Sequence, residues 1–287
     1  MKTKNMAAVL IAVALAVSFL GISFCAETCT EVYGKGESKM ALATGSPGSL
    51  GLVKALAEAF NAKNNCCLCW YKAGSGASLK LLKDREADVV MVHAPAAEKT
   101  AVQEGWAKKR TLIGSNEFYI VGPKEDPAEI SQAKTAADAY KRIAEVKAKF
   151  FSRGDNSGTH KKEMMIWKQA GIAPEGSWYV VTKDFMKPTL RRADKDKGYF
   201  MTDSSTWIAA KNNLPNLVIL FKGDPVLVNT YHALCVSDEA TPSQKLGAAF
   251  VNFLGSEEGQ RIVREYGKNK FGEALCNDAT YARKFDE

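Results

Sequence analysis

The sequence predicts an exported α/β protein of two lobes with two hinge crossovers and a ligand cleft between them. Three observations lead there. A basic-then-apolar leader opens the chain. Short apolar strands then alternate with amphipathic helices, a pattern that implies parallel sheets joined by right-handed crossovers. Finally, two β-rich passages close on Gly122-Pro123 and Gly223-Asp224-Pro225, near 118–123 and 220–231, where the chain is expected to pass between lobes.

The leader comes first. Lys2 and Lys4 precede an uncharged apolar run from Met6 to Phe24, and small residues at Ser23, Cys25 and Ala26 follow, so residues 1–26 read as a signal peptide. The run is also long enough for a membrane anchor, but the small residues at its end favour cleavage. Cys25 would allow lipid attachment, which Phe24 disfavours by standing where such signals need a small residue. Beyond residue 26 no apolar stretch reaches membrane length, so the mature chain is expected to be periplasmic and soluble.

In the mature chain, Met40–Ala43 reads as a buried strand, followed by a Gly/Ser/Pro loop and a helix over Leu50–Ala62. Cys67–Lys72 is a second strand, Gly74–Ala77 a loop, Ser78–Arg85 a helix and Ala87–Val92 a third strand. Phe118–Val121 is a further strand. A long Ala- and Lys-rich helix is expected over Ala128–Lys149, a strand-to-helix turn over Phe150–His160, and a strand over Leu217–Phe221. Amphipathic helices are expected over Ser243–Leu254 and Glu257–Tyr266. This places lobe I at 38–118 plus 228–287 and lobe II at 119–227.

Composition narrows the function. Hydrophobic content of 46% and charged content of 25% are those of a globular protein, not a disordered one. The net charge of +7 is spread among acids rather than striped, so nothing motivates nucleic-acid binding, while a mild positive field favours approach of a small anion. In an exported chain, Cys29, Cys66, Cys67, Cys69, Cys235 and Cys276 favour disulfides or incidental thiols, of open connectivity. A soft-metal site at Cys66-Cys67-Leu68-Cys69 is the alternative, but it has no neighbouring histidine.

Three loops stand after a strand and before a helix: Thr44–Ser49, Gly74–Ser78 and Ser152–Thr159. The first N–H groups of a helix lack intrahelical partners and carry the positive end of its dipole. Glycine admits a ligand to that backbone, and hydroxyls add neutral donors. Simple helix capping is the better explanation of any one such loop; it is the three together, one of them with an arginine, that raise the oxyanion-site reading beside it. The candidates are Thr44, Ser46, Ser75, Arg153, Ser157, Gly158 and Thr159. Arg153 supplies paired hydrogen bonds and fixed charge. Asp155 is expected to orient the arginine or cap the helix, and His160 to stand behind the site. The Arg153-Gly154-Asp155 triplet is read as chance rather than an adhesion motif. A phosphoester hydrolase is the alternative of another class, but no Gly-x-Ser-x-Gly elbow accompanies His93, His160 or His232.

Several segments resemble the TupA-type tungstate-binding proteins: Leu42–Thr44, Ala87–Ala94, Asn116–Pro123, Phe151–His160, Gly176–Tyr179, Thr202–Asp203, Gly223–Pro225 and Ser256–Gln260. The resemblance runs in order over about Met40 to Gly267. It implies a type II periplasmic-binding fold, capture of tungstate or a related oxyanion without catalysis or cofactor, and an ABC permease and its ATPase as partners of a monomer. Arg153–Thr159 is also similar to the anion loop of phosphate-binding proteins, which makes phosphate, with molybdate, the alternative ligand. Where the family has Thr-Thr-Thr-Ser this chain has Thr44-Gly-Ser-Pro47, with fewer hydroxyls and one N–H removed by Pro47. Its second loop reads Gly74-Ser-Gly-Ala77 where the family has Gly-Thr-Gly-Gln.

Overall fold

The computed structural model describes residues 29–286; residues 1–26, where a signal peptide is expected, lie outside them with Cys25. In chain order the first half comprises β1 (Glu31–Tyr33), β2 (Ser38–Thr44), α1 (Ser46–Ser49), α2 (Leu52–Asn64), β3 (Cys66–Lys72), α3 (Ser75–Lys83), β4 (Val89–Val92), α4 (Pro95–Gln103) and the long β5 (Ala107–Pro123). There follow α5 (Ala136–Glu145), β6 (Phe150–Ser152), α6 (Gly158–Gln169), β7 (Tyr179–Val181), α7 (Met186–Lys195), β8 (Tyr199–Asp203), α8 (Ser204–Ala210) and β9 (Leu217–Phe221). The chain ends with β10 (Val228–Val236), α9 (Pro242–Gly255), α10 (Glu257–Glu265), α11 (Lys268–Phe271), β11 (Asn277–Asp278) and α12 (Ala279–Ala282).

Two sheets share β5. Its first part pairs with β10, from Ala107↔Val236 to Glu117↔Val228. From Phe118 it pairs instead with β8 and β9. The first sheet runs β1-β3-β2-β4-β10-β5, and the second continues through β8, β6 and β7. Pairing is mixed where the sequence predicted parallel. β2 is parallel to β3 and β4, and β6 to β7 and β8, as the intervening helices require. The shared strands β5 and β10 run antiparallel to each other and to their outer neighbours, because the chain crosses in opposite directions on leaving and returning.

The cores divide in the same way. One cluster gathers Phe118, Tyr140, Phe150, Trp167, Tyr199 and Phe221 around the second sheet. The others, built on Leu42, Leu56, Leu68, Phe250 and on Val90, Leu82 and Leu234, flank the two faces of the first. Near-complete burial of Trp167, Tyr140 and Phe150, in ring contacts of 4.3–5.2 Å, fixes α5 and α6 on β6.

The single helix expected over Ala128–Lys149 is broken. Asp126 accepts from the N–H groups of Ile130 and Ser131, Glu129 is left-handed (φ 52°), and only a 3₁₀ turn forms at Ile130–Gln132. Thr135 then caps α5 through Asp138 N, and left-handed Lys147 (φ 51°) follows its end. The helix expected from Ser78 begins earlier, at Ser75, so the Gly74–Ala77 loop is largely its first turn. Cys29 and Cys69 form a disulfide, while Cys66, Cys67, Cys235 and Cys276 are free thiols. The bridge ties the start of the described chain to β3. Among the described residues no helix is long and apolar enough to cross a membrane, and no cluster of His, Cys, Asp or Glu suits a metal ion.

Candidate functional site

Four strand-to-helix turns converge between the sheets: β2 into α1, β3 into α3, β6 into α6 and β8 into α8. They contribute Ser46, Ser75, Ser157 and Thr206 to the wall of a cavity of about 280 Å³. Each turn is locally determined. Gly74 caps α3 in extended conformation, Ser157 caps α6 by accepting from His160 N, and Asp203 caps α8 by accepting from Thr206 N and Oγ1. Each turn brings the positive end of a helix dipole to the cavity wall, although several of the leading N–H groups are engaged: His160 N by Ser157, Thr206 N by Asp203 and Ser157 N by Asp155. Lys72, Arg153, Lys187 and Arg191 also line the cavity, and among the described residues no aspartate or glutamate does.

The lobes meet here. A Cβ on Gly74 would stand 3.3 Å from Ser157 Cβ, and one on Gly158 only 2.4 Å from His93 Cε1. Glycine at 158 lets the backbone of the α6 turn lie against the imidazole. The loop at 74–76 from the first sheet thus packs directly on the 156–158 turn of the second.

Arg153 is 5% exposed and its guanidinium is oriented by three acceptors. Nη2 donates to Asp155 Oδ2, Nε to the Asp184 carbonyl (3.2 Å), and Nη1 reaches Thr159 Oγ1 (3.5 Å). Asp155 Oδ1 accepts from Ser157 N (3.2 Å), so one carboxylate links the arginine to the helix start. Phe185 lies beneath the guanidinium at 5.7 Å and beneath Lys72 Nζ at 4.4 Å.

Of the sequence candidates, Ser46, Ser75, Arg153 and Ser157 line the cavity, whereas Thr44, Gly158 and Thr159 do not. The Thr44 hydroxyl is fully buried and donates to Met91 O at 2.7 Å, tying β2 to β4. Its proton is therefore committed to the sheet. Gly158 and Thr159 stand just behind Ser157 as the first helical residues of α6. The His160 ring accepts from Asn156 N through Nδ1 (3.1 Å), bracing the turn from outside. Ser75 Oγ accepts from His93 N (3.2 Å), which leaves its own proton free to donate.

The family profile described as the PBP superfamily domain matches residues 32–258. The tungstate-binding protein TupA of Peptoclostridium acidaminophilum is 39% identical over 206 residues, covering 70% of this chain and 72% of that protein. The TupA of Campylobacter jejuni is 33% identical over 227 residues, covering 77% and 84%. The chain belongs to the PBP superfamily, in the TupA family. Among solved structures, that of the tungstate ABC transporter from Geobacter sulfurreducens superposes with a TM-score of 0.73 at 38% identity, covering 81% of this chain and all of that one. The architecture is thus the type II periplasmic-binding fold.

Within this TupA-family frame, the residues missed from sequence are His93, Lys72, Lys187, Arg191, Thr206 and Tyr231. Lys187 and Arg191, four apart in α7 and hence on one face, were the readable signal. Tyr231 had none and His93 only its place in the Ala87–Ala94 segment, since the two meet only when β10 pairs with β4, with ring centroids 4.8 Å apart. Burial pushes the His93 imidazole down to about 4, and Arg153 and Lys162 act in the same direction, so the ring is neutral near pH 7. A larger open groove of about 930 Å³ runs along the outside of the same loops. Lys72, Lys80 and Lys183 alternate there with Asp84, Glu86, Asp155 and Asp184, which gives it no selectivity for anions.

Proposed function

We propose that this chain is an extracytoplasmic solute-binding protein that captures a tetrahedral oxyanion, with tungstate the first candidate, and delivers it to an ABC permease and its ATPase. The observation that carries the reading is the cavity wall: Lys72, Arg153, Lys187 and Arg191 with the hydroxyls of Ser46, Ser75 and Ser157, and no carboxylate among the described residues. A dianion stripped of water there meets hydroxyl donors and four positive charges. The ligand named for the TupA relatives agrees with that chemistry. Phosphate, which keeps a proton near neutral pH, finds no carboxylate in the wall to accept it; Asp155 is engaged by Arg153 and Ser157 outside the cavity.

In this reading the protein is a periplasmic monomer that performs no chemistry on its ligand. Lobe I (38–118 plus 228–287) and lobe II (119–227) rotate about the two crossing strands, and the anion favours closure because only the closed form presents donors from both lobes. The test is a competition titration of the purified mature protein with tungstate, molybdate, sulfate and phosphate, read by calorimetry and by the fluorescence of its five tryptophans. Stoichiometric binding of tungstate or molybdate with phosphate excluded is expected. Turnover of a chromogenic phosphoester, or tight phosphate binding, would overturn it.

A further inference from the structure

The two strands that join the lobes carry a chain of side-chain hydrogen bonds ending on His93. Asn116 of β5 donates through Nδ2 to Ser205 Oγ (2.9 Å) and to Asp203 Oδ1 (3.4 Å). Asn116 Oδ1 accepts from Asn229 Nδ2 of β10 (2.8 Å), and Asn229 Oδ1 lies 2.8 Å from His93 Nδ1. The direction of this relay is fixed at its far end. Asp203, already accepting from Thr206 N and Oγ1, is an acceptor, so it selects the amino group of Asn116; each amide then orients the next. The last oxygen needs a proton, which assigns the hydrogen to Nδ1 of His93. In the neutral ring Nε2 then holds the lone pair; His93 lines the cavity, and with Nδ1 engaged by Asn229, Nε2 is the ring nitrogen available to a ligand.

A lone pair in the wall of an oxyanion site repels the ligand, whereas an N–H there binds it. We infer that capture of the dianion is coupled to uptake of one proton by His93, whose Nε2–H then donates to the bound oxyanion. This rests on the proposed oxyanion site and adds the protonation state at which it works. The groups around the ring set the balance. Arg153 and Lys162, from the β6–α6 turn and α6, oppose a charge on His93, and Asp155 favours it. From β10, the Asn229 hydrogen bond also favours the charged ring and Tyr231 is neutral; on α3, Ser75 Oγ is occupied with His93 N. Glu98, on α4 directly after His93, is spent on Ala94 N, Arg110 and His232. With the site empty, burial and the two cations keep the imidazole neutral, near a pKa of about 4. Charging it at neutral pH requires the anion to prefer imidazolium over imidazole by about a thousandfold, and a dianion brings twice the charge of either cation that opposes it.

The experiment is calorimetric titration with sodium tungstate near neutral pH in buffers of different ionisation enthalpy, whose slope counts protons taken up per anion. The inference predicts about one for the wild type and about zero for His93→Gln, with wild-type affinity strengthening by up to about tenfold per pH unit as pH falls below the bound-state pKa. Should His93→Gln fail to fold, ¹⁵N shifts of the imidazoles decide: His93 Nε2 must pass from lone pair to N–H on saturation, and with three histidines in the chain it is readily assigned. Tungstate binding with no proton uptake, or uptake retained in His93→Gln, overturns the inference and leaves the proposed function intact. Failure to bind tungstate, molybdate or sulfate overturns both.

Discussion

Replacing Arg153 by glutamine tests the site at its most specific point. A guanidinium has five N–H donors, and those engaged with Asp155, Asp184 O and Thr159 leave two for an anion. Arg153 is 5% exposed, so its charge acts with little screening. Truncating one partner of a buried, hydrogen-bonded charge pair costs about 2–5 kcal/mol, which weakens tungstate binding by about 30- to 5,000-fold. Part of that loss comes from what stays behind. Asp155, still accepting from Ser157 N but no longer neutralised by the guanidinium, would leave an uncompensated negative charge beside the site. The double variant Arg153→Gln/Asp155→Asn should therefore bind at least about tenfold more tightly than Arg153→Gln alone, since the asparagine oxygen still accepts from Ser157 N. Isothermal titration gives the affinities, and a urea melt confirms that each variant is folded. An Arg153→Gln protein within about threefold of wild type, or a double variant no better than the single one, would refute this account of the guanidinium.

Gly158→Ala places a methyl 2.4 Å from His93 Cε1 and should hold the lobes apart. An overpacking penalty of about 1–3 kcal/mol predicts a loss of affinity of about five- to 150-fold with little change in Tm, read by tryptophan fluorescence and calorimetry. Thr44→Val should do the reverse, costing about 1 kcal/mol of stability through the lost bond to Met91 O while leaving tungstate affinity within about threefold. Glu163 lies almost wholly buried, and burial raises its carboxyl from 4.5 to about 7, even though Tyr179 donates to it at 2.6 Å. A carboxyl whose folded-state pKa is raised subtracts stability as pH climbs from 4.5, and the full loss is reached above about 7. Glu163→Gln should therefore stabilise the protein by up to about 3 kcal/mol above neutrality and by almost nothing at acid pH. Urea melts on either side of that window check it; equal gains at both ends would count against the buried, ionised carboxylate.

Local chemistry was readable where it acts over a few residues. The loops at Gly74–Ser78 and Ser152–Thr159 show their glycines and hydroxyls directly, and both turns border the cavity. The break near Asp126–Thr135 was less legible, because Ala- and Lys-rich composition favours helix while the decisive carboxylate of Asp126 stands four residues ahead of the bond it makes. Thr44 shows the limit at a single residue. Its hydroxyl could have faced a ligand or the neighbouring strand, and only the pairing of β2 with β4 brings Met91 O within 2.7 Å.

By itself the sequence determined the alternation of strands and helices, the helix starts able to hold an anion, and Arg153 as their charged member. These follow from backbone donors and side chains separated by a turn or less. Only the tertiary structure decided which donors share one cavity, that no carboxylate of the described residues lines it, and that His93 belongs there on Asn229, the contact from which its tautomer is inferred. The bonds that set that tautomer join residues 113 and 136 positions apart, Asn116 to Asn229 and His93 to Asn229. Contacts of that range leave no local pattern; they exist because β5 and β10 cross between the lobes side by side.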